Sequence, residues 1–566
     1  MTSAHFDPTW FSDLDTAPST STGISYETLS ANFTWNLPEY YNIGVDVCDR
    51  HATTPDAVAL IEVDDRGSEV VWTYDQLKKA SNQCAHALAD LGCEREDRIA
   101  VLLSQSSELP IAHIGIYKLG AIAVPLFVLF GPDALLHRLS DSAAKVIITD
   151  AEHATVILSM QSKIKTLKHI VVTNQRIVGT LYFPDLLERA HKHFEPIRTK
   201  PTDPAVIIYT SGTTGPAKGA LHGHQILLGH IPGVSMPHDF APKAGDRFWT
   251  PADWAWIGGL FDVLFPALRW GIPVIAHRMA KFDSEKAFAF MEKMHIRNVF
   301  LPPTALKMMR QITHPRERWN LELRSIASGG EPLGQETLTY AKEELGLTIH
   351  EFYGQTECNV VLGNCSTLFP VKANSMGRPI PGHQVDIIDE DGNPQRSGVV
   401  GEIAIHTPDP VMFLRYFNQP EATQQKHKGN WLCTGDLGYK DDDGYFYFVS
   451  RKDDVISSGG YRIGPSEIEE TLSQHPAVLM AAAVGSQDPV RGEVVKVFIK
   501  LRDHVSPSEQ LVLEIQDFVK MRLGAHEYPR KVEFISDFPM TPSGKIQRHI
   551  LKERELTTTS DVEHEQ

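Results

Sequence analysis

Eleven residues, YTSGTTGPAKG at 209–219, gather the side chains and backbone needed to hold a polyphosphate. Gly212, Gly215 and Gly219 let successive backbone amides turn toward one anion. Thr210, Ser211, Thr213 and Thr214 add hydroxyl donors. Lys218 adds a charge-assisted bond, of a class worth about 1.5–3 kcal/mol net. The preceding AVIIY (205–209) reads as a short buried strand that empties into this loop. A flexible Ser/Gly linker has a similar composition, but linkers rarely follow a buried strand or carry this residue order. A Walker A loop is excluded: its GxxxxGK pattern closed by Ser or Thr occurs nowhere, and PMTPSGK (539–545) has Pro539 where that pattern needs glycine. The leading chemistry is that of ATP.

Five further strings agree with it in order and spacing: GGEP (329–332), EFYGQTE (351–357), WLCTGDLGYKDDDGYFYFVSRKDD (431–454), SSGGYRIGPSEIEE (457–470) and PMTPSGKIQR (539–548). Together they resemble the acyl-adenylate-forming enzymes, the AMP-dependent synthetase/ligase superfamily of acyl-CoA synthetases, luciferases and peptide-synthetase adenylation domains. The string SSGGYRIGPSEIEE, with DPVRGE (488–493) and EYPRK (527–531), is most similar to medium-chain acyl-CoA synthetases. The resemblance covers roughly residues 40–555.

It implies ATP and CoA as cosubstrates and Mg²⁺ as cofactor. The phosphate loop, with Tyr353 and Gln355, belongs to the ATP site, and Gly330, Glu331 and Pro332 border the adenine. Thr356 contacts the α-phosphate, and Glu357 supplies the hard carboxylate oxygen that suits Mg²⁺. Asp436 accepts bonds from both ribose hydroxyls, a natural task for a carboxylate, while Arg451 and Arg462 reach the nucleotide. Attack of a carboxylate on the α-phosphate brings two anions together, so the rate depends on cationic stabilisation, and Lys545 is the residue for that role. Gly459, Gly460, Tyr461 and Arg491 line the CoA site, their glycines letting a narrow pantetheine chain approach the backbone. Adenylation and thiol attack share one pocket, so the C-terminal unit is expected to rotate, with its hinge at Asp453.

In relatives the acyl group lies near TPADWAWIGGL (250–260) and the 351–357 string, making Trp254, Trp256, Ile257, Gly258 and Gly354 the pocket candidates. Buried tryptophans are more often simple core, and Asp253 is expected to cap the following helix. Acetate-restricted relatives carry tryptophan at the position of Gly354. Glycine there is expected to leave room for a medium-chain, branched or aromatic monocarboxylic acid, and Gly354→Trp to shift preference toward acetate or propionate. Cys358 and Asn359 depart from the Thr-Gly of many relatives at the edge of that pocket. Lys545 also sits in PxxxxGK, the pattern around reversibly acetylated lysines in acyl-CoA synthetases, which implies a lysine acetyltransferase and deacetylase as partners. The histidines of HGH (222–224) are too few for a zinc site.

The elements that must position these residues alternate between strand and helix through the first 450 residues: VVWT, a helix from Asp75 to Gly92, RIAVLL, AKVIITD, HIVVT, a helix over 284–295 and NVFLPP. The fold class is α/β, a large N-terminal domain of mainly parallel sheets. After about residue 380, short strands and tight turns indicate a small β subdomain. Charged residues crowd at SRKDD (450–454), so the expected divisions are an irregular N-terminal arm over 1–40, an AMP-binding domain over 41–452, and a smaller mobile α+β domain over 453–566.

A net charge of −17 argues against nucleic acid as a partner. Between Arg491 and Arg554, twelve Lys/Arg face nine Asp/Glu, which is either a solvated face or a dock for an anionic cosubstrate. Six cysteines without a CxxC pair fit a reducing cytoplasm, and no leader is visible at the N-terminus. The most apolar segment, 111–130, contains His113, Lys118 and Pro125 and reads as helix then buried strand rather than a membrane span. A homo-oligomer is compatible with the sequence. The rival functions are adenylation feeding a separate carrier protein, a luciferase-like second step, and a catalytically silent nucleotide-binding sensor.

Overall fold

The computed structural model describes residues 25–210, 217–458, 461–488, 491–503, 505–523, 527–541 and 545–563. Among them, three sheets of fourteen, eight and five strands organise the chain. The eight-stranded sheet has a parallel centre, Ile122–Pro125, Arg98–Leu102, Val146–Thr149 and His169–Val172, each strand buried on both faces as its continuous apolar run requires. The strand Pro204–Thr210 joins it in parallel with Ile122–Pro125, and Lys218–Gly223 returns antiparallel with Thr210 opposite Lys218. The described ends of the phosphate-loop string, Thr210 and Lys218, therefore pair at the end of a buried strand.

In the fourteen-stranded sheet, Phe248–Trp249, Asn298–Phe300, Ser325–Gly329 and Ile349–Gln355 are consecutive parallel neighbours. Their carboxyl ends all open on one side, the usual place for a ligand crevice in an α/β sheet. The 250–260 segment, Phe300, the GGEP turn and the end of EFYGQTE meet there for that reason. The sheet then turns antiparallel through Asn359–Gly363 and Ser375–Pro379 into Phe446–Arg451, Trp431–Lys440, Gly401–His406 and Val385–Ile388. The small β region continues the large sheet.

Helices cover the sheets. Tyr74–Asp90 starts at a capping box between Thr73 and Gln76 and buries Leu77, Ala80, Cys84, Ala87 and Leu88. Segment 111–130 resolves into the helix Glu108–Lys118 and the strand Ile122–Pro125. Lys118 is fully buried, and its ammonium is held by Asp49 at 2.7 Å, Asn82 at 2.7 Å and Ser81 at 3.0 Å. Among the described residues no helix is long and apolar enough to cross a membrane.

The expectation of an irregular arm over 1–40 is corrected for its described part. Tyr26–Asn32 is a helix, capped by Ser25. Tyr26 donates to Pro379 O at 2.8 Å and Trp35 Nε1 to Gly382 O at 2.9 Å. Gly382, at φ +98°, leaves the space that Phe33 and Trp35 fill. Seven residues cannot sustain a helix alone, so docking stabilises it.

Beyond Arg451, a single 3-10 turn, Lys452–Asp454, leads to Ile456–Ser458, which starts the five-stranded sheet. The helices Pro465–Ser473 and Glu509–Arg522 contribute Ile468, Leu472, Ile515 and Val519 to its core. The last helix is tied back to the turn by Lys552, which donates to Asp453 O at 2.6 Å and pairs with Asp454 at 3.0 Å.

Candidate active site

Lys545 is bonded back to Thr541. Thr541 N donates to Lys545 O at 2.7 Å, Lys545 N donates to Thr541 Oγ1 at 3.0 Å, and Met540 and Ile546 form a bridge. These bonds aim the side chain out of the C-terminal unit and into the crevice. A Cβ placed on Gly330 would lie 3.4 Å from Lys545 Cε and 3.5 Å from the Trp256 ring, so glycine at φ +102° permits this close approach. The Lys545 ammonium is 6.0 Å from the centre of the Trp256 ring. Burial holds the Lys545 pKa below the usual lysine range, against the carboxylates of Glu331, Asp436 and Glu357, while Arg451 pushes the same way as burial.

Asp436 is built from two strands that meet only in the tertiary fold. In Ile349–Gln355 side chains alternate, so Tyr353 and Gln355 share a face. Tyr353 Oη and Gln355 Nε2 both donate to Asp436 Oδ2, each at 2.6 Å. Arg451 sits opposite Asp436 in the ladder, with Nε 3.1 Å from Oδ1 but poorly aligned for a hydrogen bond. Burial raises the Asp436 pKa above the usual carboxylate range, and Arg451 opposes this first. Oδ1, without a hydrogen-bond partner, is left able to accept one.

Glu357 is buried, and the hydroxyl of Tyr416 donates to its Oε1. The Lys218 ammonium lies 5.4 Å from the Tyr416 ring centre, which links the strand Lys218–Gly223 to the 351–357 string. Sequence reasoning missed Tyr416: RYFN carries no motif, and its role follows only from the pairing of Arg415–Tyr416 with Lys218–Gly223. Ser211, Gly212, Thr213, Thr214 and Gly215 lie outside the described residues, as do Gly459 and Gly460. Tyr461 and Arg462 lie in a strand paired with Ile456–Ser458, and Ser458 also pairs with Gly492. That pairing sets Ser458 beside the chain neighbour of Arg491, while Tyr461 and Arg462 lie on the far side of Ile456–Ser458; Arg491 is exposed and its N–H donates to Asp488 Oδ1 at 2.9 Å.

The acyl-pocket candidates divide. Trp256 is half-buried between Lys545, Gly330 and Phe300, whose ring centre is 5.6 Å away, and Phe300 in turn stacks on Phe352 at 5.5 Å. Trp254 is fully buried in the main core. A Cβ on Gly258 would meet the Trp256 ring at 3.0 Å, so Gly258 lets the indole lie flat on its own helix. Ile257 is buried in the same core as Trp254. Asp253 accepts from Ala255 N at 2.8 Å in a tight turn, and the helix that follows, Ile257–Gly259, has Trp256 as its N-cap and no side-chain cap, which corrects the capping expectation.

The reading of Gly354 as open space is corrected as well. A Cβ there would fall 1.5 Å from Asn359 O and 2.2 Å from its carbonyl carbon. A register shift between Tyr353 and Gly354, with Asn359 at φ +53°, folds the hairpin back onto the glycine. The space is filled by backbone.

Glu351, on the Tyr353 face of its strand, is enclosed where the helix Pro465–Ser473 approaches. Burial first, and Glu470 second, hold its pKa up to about 8, against the Leu333 amide and Lys307. An acid raised by folding contributes its stabilisation fully below its ordinary 4.5 and loses it as pH climbs toward about 8. Glu351→Gln should therefore flatten the fall in Tm between these pH values and raise Tm at the upper one by ~2 °C or more. Superimposable Tm profiles for variant and parent would contradict this.

Residues 48–417 match the family model of the AMP-binding enzymes, and residues 467–545 that of the AMP-binding enzyme C-terminal domain. Acyl-coenzyme A synthetase ACSM3, mitochondrial, from Rattus norvegicus is 35% identical over 549 residues, 94% of each chain. Two solved structures are similar. The anthranilate CoA ligase AuaEII, in complex with anthranoyl-AMP, gives a TM-score of 0.85 at 28% identity, with 93% of this chain and 99% of that one covered. A benzoate CoA ligase from Burkholderia xenovorans LB400 gives 0.81 at 27%, with 90% and 99% covered.

Proposed function

This chain belongs to the AMP-binding enzyme family, as an AMP-forming acyl-CoA ligase, and from that premise we propose that it activates a medium-chain, branched or aromatic monocarboxylic acid. The carboxylate oxygen attacks the α-phosphorus of ATP, the bond to the β-phosphate oxygen breaks, and pyrophosphate leaves. The CoA sulfur, having lost its proton, then attacks the acyl carbon, forming the thioester and releasing AMP. The observation that carries this reading is Lys545, buried in the crevice beside Gly330 and Trp256 and within electrostatic reach of Glu331, Asp436 and Glu357.

Each residue has a task there. Lys545 stabilises the charge that develops as two anions join. Asp436, fixed by Tyr353 and Gln355, offers Oδ1 to a ribose hydroxyl. Trp256 and the Phe300–Phe352 stack form an apolar wall for the acyl group. Glu357 fits Mg²⁺: it is a buried carboxylate with one oxygen fixed by Tyr416, and one or two protein carboxylates beside substrate phosphates are the usual complement. Bound there, the ion would offset phosphate charge.

Lys545 points into the crevice while Arg491 is exposed, an arrangement suited to adenylation. Thiol attack then requires the C-terminal unit to turn about the Lys452–Asp454 segment. Proline at 453 fixes φ and restricts residue 452 as well. Asp453→Pro should therefore slow thioester formation ~10-fold or more than it slows acyl-AMP formation, a geometric penalty of the size that misplaced groups impose. Equal rates of CoA transfer in variant and parent would count against this hinge.

The function is tested by CoA-dependent AMP release across C2–C12 alkanoates and aromatic acids. Acid-dependent pyrophosphate exchange without CoA-dependent AMP release would instead favour loading of a carrier protein. Absence of both would leave a silent nucleotide binder.

A further inference from the structure

Next to the EFYGQTE string lies a group of buried polar side chains that the adenylation chemistry does not use. His222, on the return strand Lys218–Gly223, is fully buried with the Thr356 backbone within reach of its ring, and neither ring nitrogen is well aligned with a partner. His230, on the helix Ile226–Ser235, is 1% exposed. Its Nδ1 is 2.9 Å from Ile226 O, and its ring stacks on Phe261 at 5.4 Å. Its Nε2 lies 3.4 Å from Asp262 Oδ1, outside good alignment, and neither atom has a hydrogen-bond partner. Asp262 is 5% exposed.

The place of Asp262 follows from the chain. The helical run that begins after Trp256 continues through Gly258 to Asp262. The run is α-helical over Ile257–Gly259 and π-helical over Leu260–Leu264, so Asp262 sits in the turn that directly follows the Trp256 end of the run. His222 and His230 converge on the same region from the return strand and the neighbouring helix. Burial keeps both imidazoles neutral, with pKa pushed down to about 3, and moves the Asp262 carboxyl well up toward its neutral form.

A buried polar atom without a well-aligned partner destabilises the fold, so four such atoms in one cluster are costly as core packing. A bound group that pairs with them removes the cost. Among the described residues no three His, Cys, Asp or Glu side chains are gathered to hold a metal. Neutral imidazoles and a neutral carboxyl each donate and accept, which suits a group that does both.

We propose that His222, His230 and Asp262 form the far end of the acyl pocket, and that the acid carries a hydroxyl or amino group remote from its carboxylate. This rests on the acid:CoA ligase reading. A site that hydrogen-bonds such a group rejects the analogue that lacks it, because its own polar atoms are then left unpaired.

The test compares kcat/KM for hexanoate with 6-hydroxyhexanoate and 6-aminohexanoate, and for benzoate with 4-hydroxybenzoate and 4-aminobenzoate. In the parent enzyme at least one substituted acid should exceed its unsubstituted match by ~10-fold or more. Asp262→Leu should abolish or reverse that preference, and Asp262→Asn should keep most of it, with thermal unfolding confirming that each variant is folded. Turnover of hexanoate or benzoate with no gain from either substituent would overturn this proposal while leaving the ligase reading intact. So would an unchanged ratio in folded Asp262→Leu. If that variant does not fold, the parent's own ratios decide. Failure of every acid to release AMP would overturn the ligase reading, and this proposal with it.

Discussion

Lys545→Ala should lower acyl-AMP formation by ~10²-fold or more, the cost of removing one preorganised donor from a developing charge. Thioester formation from supplied acyl-AMP should be spared. The asymmetry is the informative part. In this structure Lys545 is buried against Gly330 and Trp256, and its charge is sensed by Glu331, Asp436 and Glu357. Its surroundings are those of a cation held ready for phosphate, in a place where burial makes each electrostatic contact stronger than in water. Acid-dependent pyrophosphate exchange reads the first half-reaction, and CoA-dependent consumption of synthetic acyl-AMP reads the second. Equal loss in both would mean that Lys545 supports the shape of the site and not adenylation itself.

Gly354→Trp should disable the enzyme for every acid, by ~10²-fold or more, because a displacement of about 1 Å in catalytic groups already costs that much. Any side chain at 354 would begin 1.5 Å from Asn359 O, so the hairpin must open. Opening it displaces Tyr353 and Gln355, which hold Asp436, and Glu357, which Tyr416 holds. Overpacking also costs stability, typically about 1–3 kcal/mol, so Tm should fall. The measurement is kcat/KM for acetate, propionate, hexanoate and benzoate, together with thermal unfolding. A folded variant with normal acetate activity and lost hexanoate activity would restore the idea of an open tunnel beside Gly354.

Gly354 shows why part of the site was hard to read. A glycine in a motif signals either room for a ligand or the close approach of another chain segment, and a single sequence does not separate the two. Trp254 and Trp256 pose the same difficulty. They are two residues apart in one string, yet one is core and the other faces Lys545, because the turn held by Asp253 lies between them and Trp256 is the N-cap of the helix that follows. The helix Tyr26–Asn32 has only two buried positions, too short a pattern to be seen without its docking surface. His230 and Asp262 sit in strings with no signature, thirty-two residues apart.

The sequence by itself determined the kind of chemistry and the family. The groups that meet phosphate, ribose and the developing charge sit in contiguous strings, since short loops at strand ends place several of them at once. It also determined the strand and helix alternation that carries those strings. Only the tertiary structure decided how the strings combine. Asp436 acquires its partners across a strand ladder, Glu357 receives Tyr416 from an edge strand, and Lys545 enters from a separate unit. Burial and pairing between distant segments set these relations, so the shape and polarity of the acyl pocket belong to packing.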